Sequence, residues 1–199
     1  MATLVRINRK AIATLLFGVA ALWLSRAASG EHGERVTVLV ANRGFTDAQY
    51  QKSVVVLQRG GDEEVGVIIN RPTEHKLANV VALPAAEKAA DPVYTGGPFA
   101  PQQLLALIRD EKSPGEGSMQ LARGLHLSIG QGVLERAVER APGTARFYAG
   151  LVLWRPGELE DEIKRGLWLK LEVPLDWVFL RDSTGLWEEL LLAAQGLRI

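Results

Sequence analysis

The sequence contains no cysteine among its 199 residues. Without cysteine there can be no disulfide bond, no thiol nucleophile, no cysteine-ligated metal and no lipid attached to a cysteine. A chain of this length can bury a core large enough to fold without such crosslinks. The absence therefore excludes disulfide-stabilised scaffolds, thiol enzymes and cysteine-based metal proteins.

Histidine is also scarce, since the chain has only His32, His75 and His126. They form no HxxxH or HExxH pattern, and their spacing predicts no metal site. A lone histidine inside a strand-like segment, such as His126, is more often a satisfied or surface side chain than a ligand. The motifs GxSxG and GxxxxGK[ST] are absent as well. We therefore predict no metal and no cofactor, and no residue qualifies as catalytic.

The chain has no basic run that would neutralise nucleic-acid phosphates. It holds 23 basic and 23 acidic residues, and residues 1–30 contain four of the bases and none of the acids. The remainder therefore has 19 basic against 23 acidic residues. Proteins that bind nucleic acids need a basic surface, so we predict no nucleic-acid partner.

The amino terminus combines a basic start with a short apolar run. Residues 11–24 (AIATLLFGVAALWL) are uncharged, follow Arg6, Arg9 and Lys10, and precede several small residues. This order is typical of a secretory signal peptide, and the run is shorter than the roughly 20 residues of a membrane span. An uncleaved membrane anchor is the alternative. We predict a signal peptide or anchor in residues 1–30 and an exported domain in residues 31–199, either periplasmic or membrane-anchored.

Strand-like and helical segments follow one another in an irregular order. Residues rich in β-branched side chains predict strands at 36–41, 52–59 and 64–70, the last two joined as a hairpin. Helical spacing of apolar residues predicts helices, and the one at 156–166 packs through Leu159 and Ile163. This mixture favours a single α+β domain with a mixed sheet. The other predicted strands are a brief one in VYTGGP (residues 93–98), 104–108, 125–129, 146–153 and 168–173, and the other predicted helices are 77–83, 132–141 and 185–195.

A change of character follows the apolar segment 66–69, where Asn70, Arg71, Pro72 and Thr73 come in succession. Pro72 cannot continue a central strand, so the ladder ends here. Asn70 can bond the turning backbone, and Thr73 can cap the segment that follows. A strand end needs no guanidinium. Arg71 therefore pairs either with a carboxylate inside the domain or with an anionic ligand.

Three motifs resemble those of the YqgE/AlgH family. The segment VLVANRGFTDAQYQKSVVVLQRGGDEEVGVIINRPT is similar to the opening of that family, with Tyr50 in place of its phenylalanine. VYTGGPF resembles its Gly-Gly-Pro-Val segment, and LWRPGELEDEIKRGLWL resembles its Gly-Trp-x-Pro-Gly-Gln-Leu-Glu helix entry. The resemblance covers about residues 37–190. It departs from the family's Gly-Tyr-Ala-Gly-Trp at residues 150–154, which read GLVLW.

The resemblance implies a compact domain with a strongly curved, mostly antiparallel, barrel-like sheet flanked by a few helices. It implies no established catalytic mechanism. Family members are mostly cytosolic, whereas this chain has an export segment. Some relatives are labelled as transcriptional regulators, which leaves a regulatory role as a remote alternative.

These observations favour a non-catalytic binding or interaction module, whose partner is an unknown protein or a small anionic ligand. An enzyme acting on a small anionic substrate, with Arg71, Thr73 and His75 around it, is the alternative. Glycine at positions 96 and 97 would permit close approach of the ligand. We also expect that loss of Arg71 abolishes binding with little effect on stability. The candidate anion site comprises Asn70, Arg71, Thr73, Gly96 and Gly97, with Pro98 beside them.

The leader should be cleaved, because its apolar run is too short to span a bilayer comfortably and small residues follow it. Amino-terminal sequencing of the protein from its native envelope should therefore find a start near residue 28 or 31. An intact Met1 in the membrane fraction would establish the anchor instead.

Overall fold

The computed structural model describes most of the chain after residue 33. The apolar leader at residues 11–24 lies outside the described residues. Within them, no helix is long and apolar enough to cross a bilayer. The described ranges are 34–58, 64–82, 84–88, 91–140, 143–180 and 182–196.

The described residues form ten strands, three α-helices and three short 3₁₀ segments. The strands are β1 (Arg35–Ala41), β2 (Val54–Leu57), β3 (Glu64–Ile68), β4 (Pro72–Lys76), β5 (Pro92–Thr95), β6 (Phe99–Arg109), β7 (Ser118–Ala122), β8 (Leu125–Ser128), β9 (Ala145–Trp154) and β10 (Trp168–Pro174). The helices are α1 (Gln131–Arg140), α2 (Glu158–Lys164) and α3 (Leu186–Ala194), and the 3₁₀ segments are Leu77–Asn79, Pro84–Lys88 and Leu175–Phe179.

One sheet connects all ten strands, and eight of them follow the order β10-β1-β2-β3-β9-β6-β8-β7. The neighbours along this path are antiparallel, while β5 runs parallel to β9 and pairs with β4 on its other side. β1, near one end of the path, contacts β7 at the other end, so the sheet curls on itself into a half-barrel. The predicted fold class, α+β with a curved and mostly antiparallel sheet, is confirmed.

The strands β1, β2 and β8 are buried on both faces, apart from Arg35 at the start of β1. Along β1, Val36, Val38 and Val40 belong to one core cluster, and Leu39 and Ala41 belong to another. Two-sided burial explains why β1 and β2 are nearly continuous apolar runs, whereas β10, which has an exposed face, alternates apolar with charged residues. α3 and the segment Leu175–Phe179 cover the first cluster, α2 covers the second, and α1 covers a third on β6 and β9.

Several local predictions differ from the structure. β4 was not predicted as a strand, and β6 begins at Phe99, five residues before its predicted start. The helix predicted at 77–83 is a single 3₁₀ turn, and a second turn begins at Pro84, because proline supports a first turn but not a helix interior. The third strand ends at Ile68, two residues before its predicted end at Asn70. β7 was not predicted, since its sequence SMQLA is half-exposed and has no β-branched residue.

Leu159 and Ile163 do not contribute equally to the packing of α2. Leu159 is 1% exposed, whereas Ile163 is only partly buried. Leu159→Ala should therefore lower the free energy of unfolding by about 2–5 kcal/mol, and Ile163→Ala by clearly less. Urea denaturation measures both. Glu160→Ala, on the exposed face, should cost about 0.5 kcal/mol or less, and a loss equal to that of Leu159→Ala would contradict this packing.

Candidate functional site

Asn70 connects the end of β3 to the start of β2. Its Oδ1 accepts a hydrogen bond from the Val54 N–H at 2.9 Å, and its Nδ2 donates to the Lys52 carbonyl at 2.8 Å. One of these contacts is to Lys52 itself and the other is to the residue two positions later. Lys52 has a φ of 55°, in the left-handed region that residues other than glycine rarely adopt. Asn70 thus bonds the turning backbone, and it stabilises an unusual conformation at Lys52.

Arg71 holds the loop before β2 through carbonyl groups. Its Nη1 donates to the Gln49 carbonyl at 2.7 Å, and its Nη2 donates to that of Gln51 at 2.8 Å and, more weakly, to that of Ala48 at 3.5 Å. Within the described ranges, no carboxylate oxygen lies within 4.0 Å of the guanidinium. Burial lowers the pKa of Arg71, and the negative charge of Asp47 acts in the opposite direction. The sequence allowed a carboxylate inside the domain as the partner of Arg71. In the described part of the chain its partners are backbone carbonyls instead.

Thr73 lies on β4 and faces β5. Its hydroxyl donates to the Val93 carbonyl at 2.6 Å and accepts the His75 N–H at 3.1 Å. The Thr95 N–H donates to the Arg71 carbonyl at 2.8 Å, so the chain passes directly from the β3 ladder into a second pairing. Thr73 therefore stabilises the β4–β5 ribbon.

Gly96 and Gly97 permit close approach, but the group that approaches is the backbone of β9. A Cβ at Gly96 would lie 2.1 Å from the Gly150 carbonyl oxygen, and one at Gly97 would lie 2.2 Å from that of Leu151. Both glycines are buried. A side chain at either position would collide with the neighbouring strand, so packing within the sheet accounts for both glycines without a ligand.

A cleft of about 270 Å³ opens where Asn70 and Arg71 leave the sheet. It lies between the start of β2 and the start of α3, and we call it the Lys52–Trp187 cleft. Thr73, Gly96 and Gly97 do not line it, so the structure brings together two of the five predicted site residues. The lining residues are Gln51, Lys52, Asn70, Arg71, Ser183, Thr184, Gly185, Trp187 and Glu188.

The charged and aromatic groups of this cleft are held in place by the fold. The Lys52 Nζ lies 5.7 Å from the centre of a Trp187 ring, within the range of a cation–π contact. The Trp187 indole N–H donates to the Ala41 carbonyl at 2.6 Å, which fixes the ring. Gly185 precedes α3 with a φ of 81°, and no side chain caps the helix. Lys52 and Arg71 contribute two positive charges, and Glu188 contributes one negative charge.

The sequence did not single out Lys52 or Trp187. More than 130 positions separate them in the sequence. They lie close together because α3 packs against the core cluster that also contains residues of β1. The residues before α3 (Asp182, Ser183, Thr184 and Gly185) have the composition of a helix start, and this was the one local signal available.

Glu162 differs from the other acidic residues of α2, whose side chains are exposed. Its Oε2 accepts the indole N–H groups of Trp154 at 2.9 Å and Trp168 at 2.7 Å. Glu160 and Asp161 do face solvent beside Lys164. Glu162 is thus a structural link between two strands.

The histidines and acids of the described residues offer no metal site, since no three of them lie close enough to share an ion. His126 is 3% exposed, and its Nδ1 has no hydrogen-bond partner in the described part of the chain. Burial lowers the pKa of His126, although the nearby Asp110 acts against this. His126 is therefore a buried side chain with one ring nitrogen unpaired, close to the backbone of Asp110.

The sequence matches the AlgH-like family over residues 38–198. It is 31% identical over 162 residues to a UPF0301 protein of Anaeromyxobacter dehalogenans, which covers 75% of this chain and 82% of that protein. A UPF0301 protein of Streptomyces coelicolor is 32% identical over 169 residues, or 80% of this chain and 86% of that one. The fold resembles the solution structure of AlgH from Pseudomonas aeruginosa, with a TM-score of 0.67 and 22% identity over 82% of this chain and 89% of that one.

Both Asn70→Ala and Arg71→Ala should destabilise the fold, by about 1–3 kcal/mol each, because each leaves backbone groups of residues 48–54 without partners. For Arg71, the sequence alone predicted little loss of stability, whereas its carbonyl contacts predict a loss of this size. Thermal melts would measure the losses, and amide exchange of residues 48–54 should accelerate in both variants.

Arg43→Ala is the matched control for these two variants. Arg43 lies in the same loop, and its side chain is exposed and makes no hydrogen bond or ion pair within the described ranges. If Arg71→Ala melts like Arg43→Ala, the carbonyl contacts of Arg71 contribute nothing to stability, and our assignment of a loop-holding role to Arg71 is wrong.

Proposed function

From the premise that the chain belongs to the AlgH-like family of UPF0301 proteins, we propose that it is a non-catalytic binding domain. The proposed site is the Lys52–Trp187 cleft, and the proposed ligand is a carboxylate. That carboxylate belongs either to a small organic anion or to an acidic side chain of a partner protein. The names of the relatives state no activity, so the proposal depends on this chain's own surface.

The juxtaposition of Lys52 and Arg71 in one cleft supports the proposal most strongly. Lys52 lies just before β2 and Arg71 lies just after β3. The hydrogen bonds of Asn70 hold these two segments together. With Glu188 as the one acidic lining residue, the cleft has a formal charge of +1. That balance favours a single negative charge over a polyanion such as a nucleic-acid backbone.

The remaining walls offer further contacts to a carboxylate-bearing ligand. The fixed Trp187 ring provides an apolar surface, and Ser183 and Thr184 provide hydroxyl donors. The volume of about 270 Å³ suits a small anion or one side chain of a larger partner. Because Arg71 already donates to carbonyls, Lys52 would make the direct ionic contact and Arg71 would contribute charge.

We favour binding over catalysis because of how the reactive lining groups are arranged. An enzyme acting on the same anion would need a nucleophile and a base within hydrogen-bond distance of each other. Ser183, Thr184 and Glu188 are the lining groups of those types, and their side chains make no hydrogen bond to one another in the described part of the molecule. We further propose that the leader places this module outside the cytoplasm.

Lys52→Asn should weaken carboxylate binding about tenfold or more without lowering the melting temperature. The ammonium is lost, whereas asparagine tolerates the left-handed backbone that Lys52 adopts. Titrating the full chain with acetate and with a short amidated peptide that carries a single glutamate, while following the Trp187 indole NMR signal, measures the affinities. A response to the peptide alone would identify a protein partner as the source of the carboxylate.

Lys76→Asn is the control, because Lys76 is exposed on β4 and outside the cleft. It should leave both affinities unchanged. The proposal fails if neither probe gives a saturable shift of the Trp187 signal, or if Lys52→Asn and Lys76→Asn weaken binding equally.

A further inference from the structure

A second cleft lies on the other side of the molecule's sheet, between α1 and the loop that follows β6. Its volume is about 410 Å³, within the range of small-molecule sites. None of its lining residues is shared with the Lys52–Trp187 cleft. We call it the α1 cleft and infer its ligand from its floor and its rim.

The floor of the α1 cleft is apolar and belongs to the core. Ile108, Val133, Ala137 and Ala145 line it, and each is 3–5% exposed. All four belong to the cluster that packs α1 against β6 and β9. The floor is therefore rigid, and it offers hydrocarbon surface to whatever enters.

The rim of the cleft is basic, with Arg109, Arg136 and Arg140 against a single acid, Asp110. Arg109 is directed away, since it donates to Asp176 at 2.6 Å and stacks on the Phe179 ring. Arg140 pairs with Asp110 at 3.2 Å. The rim therefore has more guanidinium groups than carboxylates to pair with them.

Arg136 is the rim group best placed to receive an anion. It donates to the Pro114 carbonyl at 3.1 Å, which holds its guanidinium over the cleft mouth. Among the described residues, no carboxylate oxygen lies within 4.0 Å of it. A guanidinium has five donors in a planar fork, so one carbonyl leaves most of its capacity for a carboxylate or phosphate.

One buried nitrogen near the cleft, Nδ1 of His126, also has no hydrogen-bond partner in the described part of the chain. His126 lies opposite Ile108 in the β6–β8 pair, so both side chains leave the sheet on the same face. Buried polar atoms are rarely left unpaired in folded proteins. This end of the cleft is therefore suited to the polar part of a ligand.

We propose that the α1 cleft binds an amphipathic anion, with a carboxylate or phosphate at Arg136 and Arg140 and a short hydrocarbon body on the Ile108–Val133 floor. A water-sized group occupies about 30 Å³, so the cleft has room for on the order of ten non-hydrogen atoms. This site is independent of the carboxylate site proposed above. It adds a hydrocarbon requirement that the Lys52–Trp187 cleft does not impose.

Titration of the full chain with hexanoate, 1-hexanol and inorganic phosphate tests this ligand class, with the backbone NMR signals of α1 as the readout. Hexanoate should shift these signals saturably and bind at least about tenfold more tightly than either other probe. Arg136→Gln should weaken hexanoate about tenfold, as expected for one exposed charge-assisted contact. Arg140→Gln should weaken it less, because Arg140 is already paired with Asp110.

Arg165→Gln, at the exposed position that directly follows α2, is the control and should leave hexanoate affinity unchanged. Lys52→Asn should also have no effect, which separates this site from the first. Equal affinity for hexanol would show a merely apolar groove, and equal affinity for phosphate would show a merely basic one. Either result, or the absence of saturable shifts in α1, would overturn the proposal.

Discussion

The close contact between the backbones of β5 and β9 determines the architecture of this domain. Gly96, Gly97 and Gly150 have no side chains to separate these strands, and a Cβ on any of them would collide with the backbone opposite. β9 can therefore pair with β6 and with β5 along one part of its length and with β3 further on. The curled sheet depends on this one strand, because β9 joins both halves of it.

The same contact leads to the cleft at Lys52. Since the Gly96 carbonyl accepts the Ile68 N–H, β3 finishes against β5 and the chain must leave its ladder at Asn70. Asn70 and Arg71 then satisfy the backbone of residues 48–54. Holding that loop places Lys52 opposite Trp187. The polar residues that end a strand thus have a structural role, and the cation they position is the one exposed to a ligand.

Prediction from sequence succeeded where the signal was local. The apolar spacing of α1 and α3 and the β-branched runs of β1 and β2 identified these elements within one to three residues at most ends. It failed where contacts over long separations decide the outcome. The carbonyls that Arg71 binds lie about twenty residues upstream, and the groups that need Gly96 and Gly97 to be small lie on β9. A motif shows that such residues are constrained without showing which neighbour constrains them.

The pairing of β1 with β10 has a consequence for how the chain folds as it is made. Arg35 lies opposite Pro174, so the outer edge of β1, the first described strand, is paired only by β10, the last one. Contacts this distant in sequence slow folding, because the entropy of closing the loop must be overcome before they form. During synthesis β1 can pair with β2 on one side while its other edge stays open. Until β10 arrives, that edge is a surface to which another extended chain could add, and where a chaperone would be of most use.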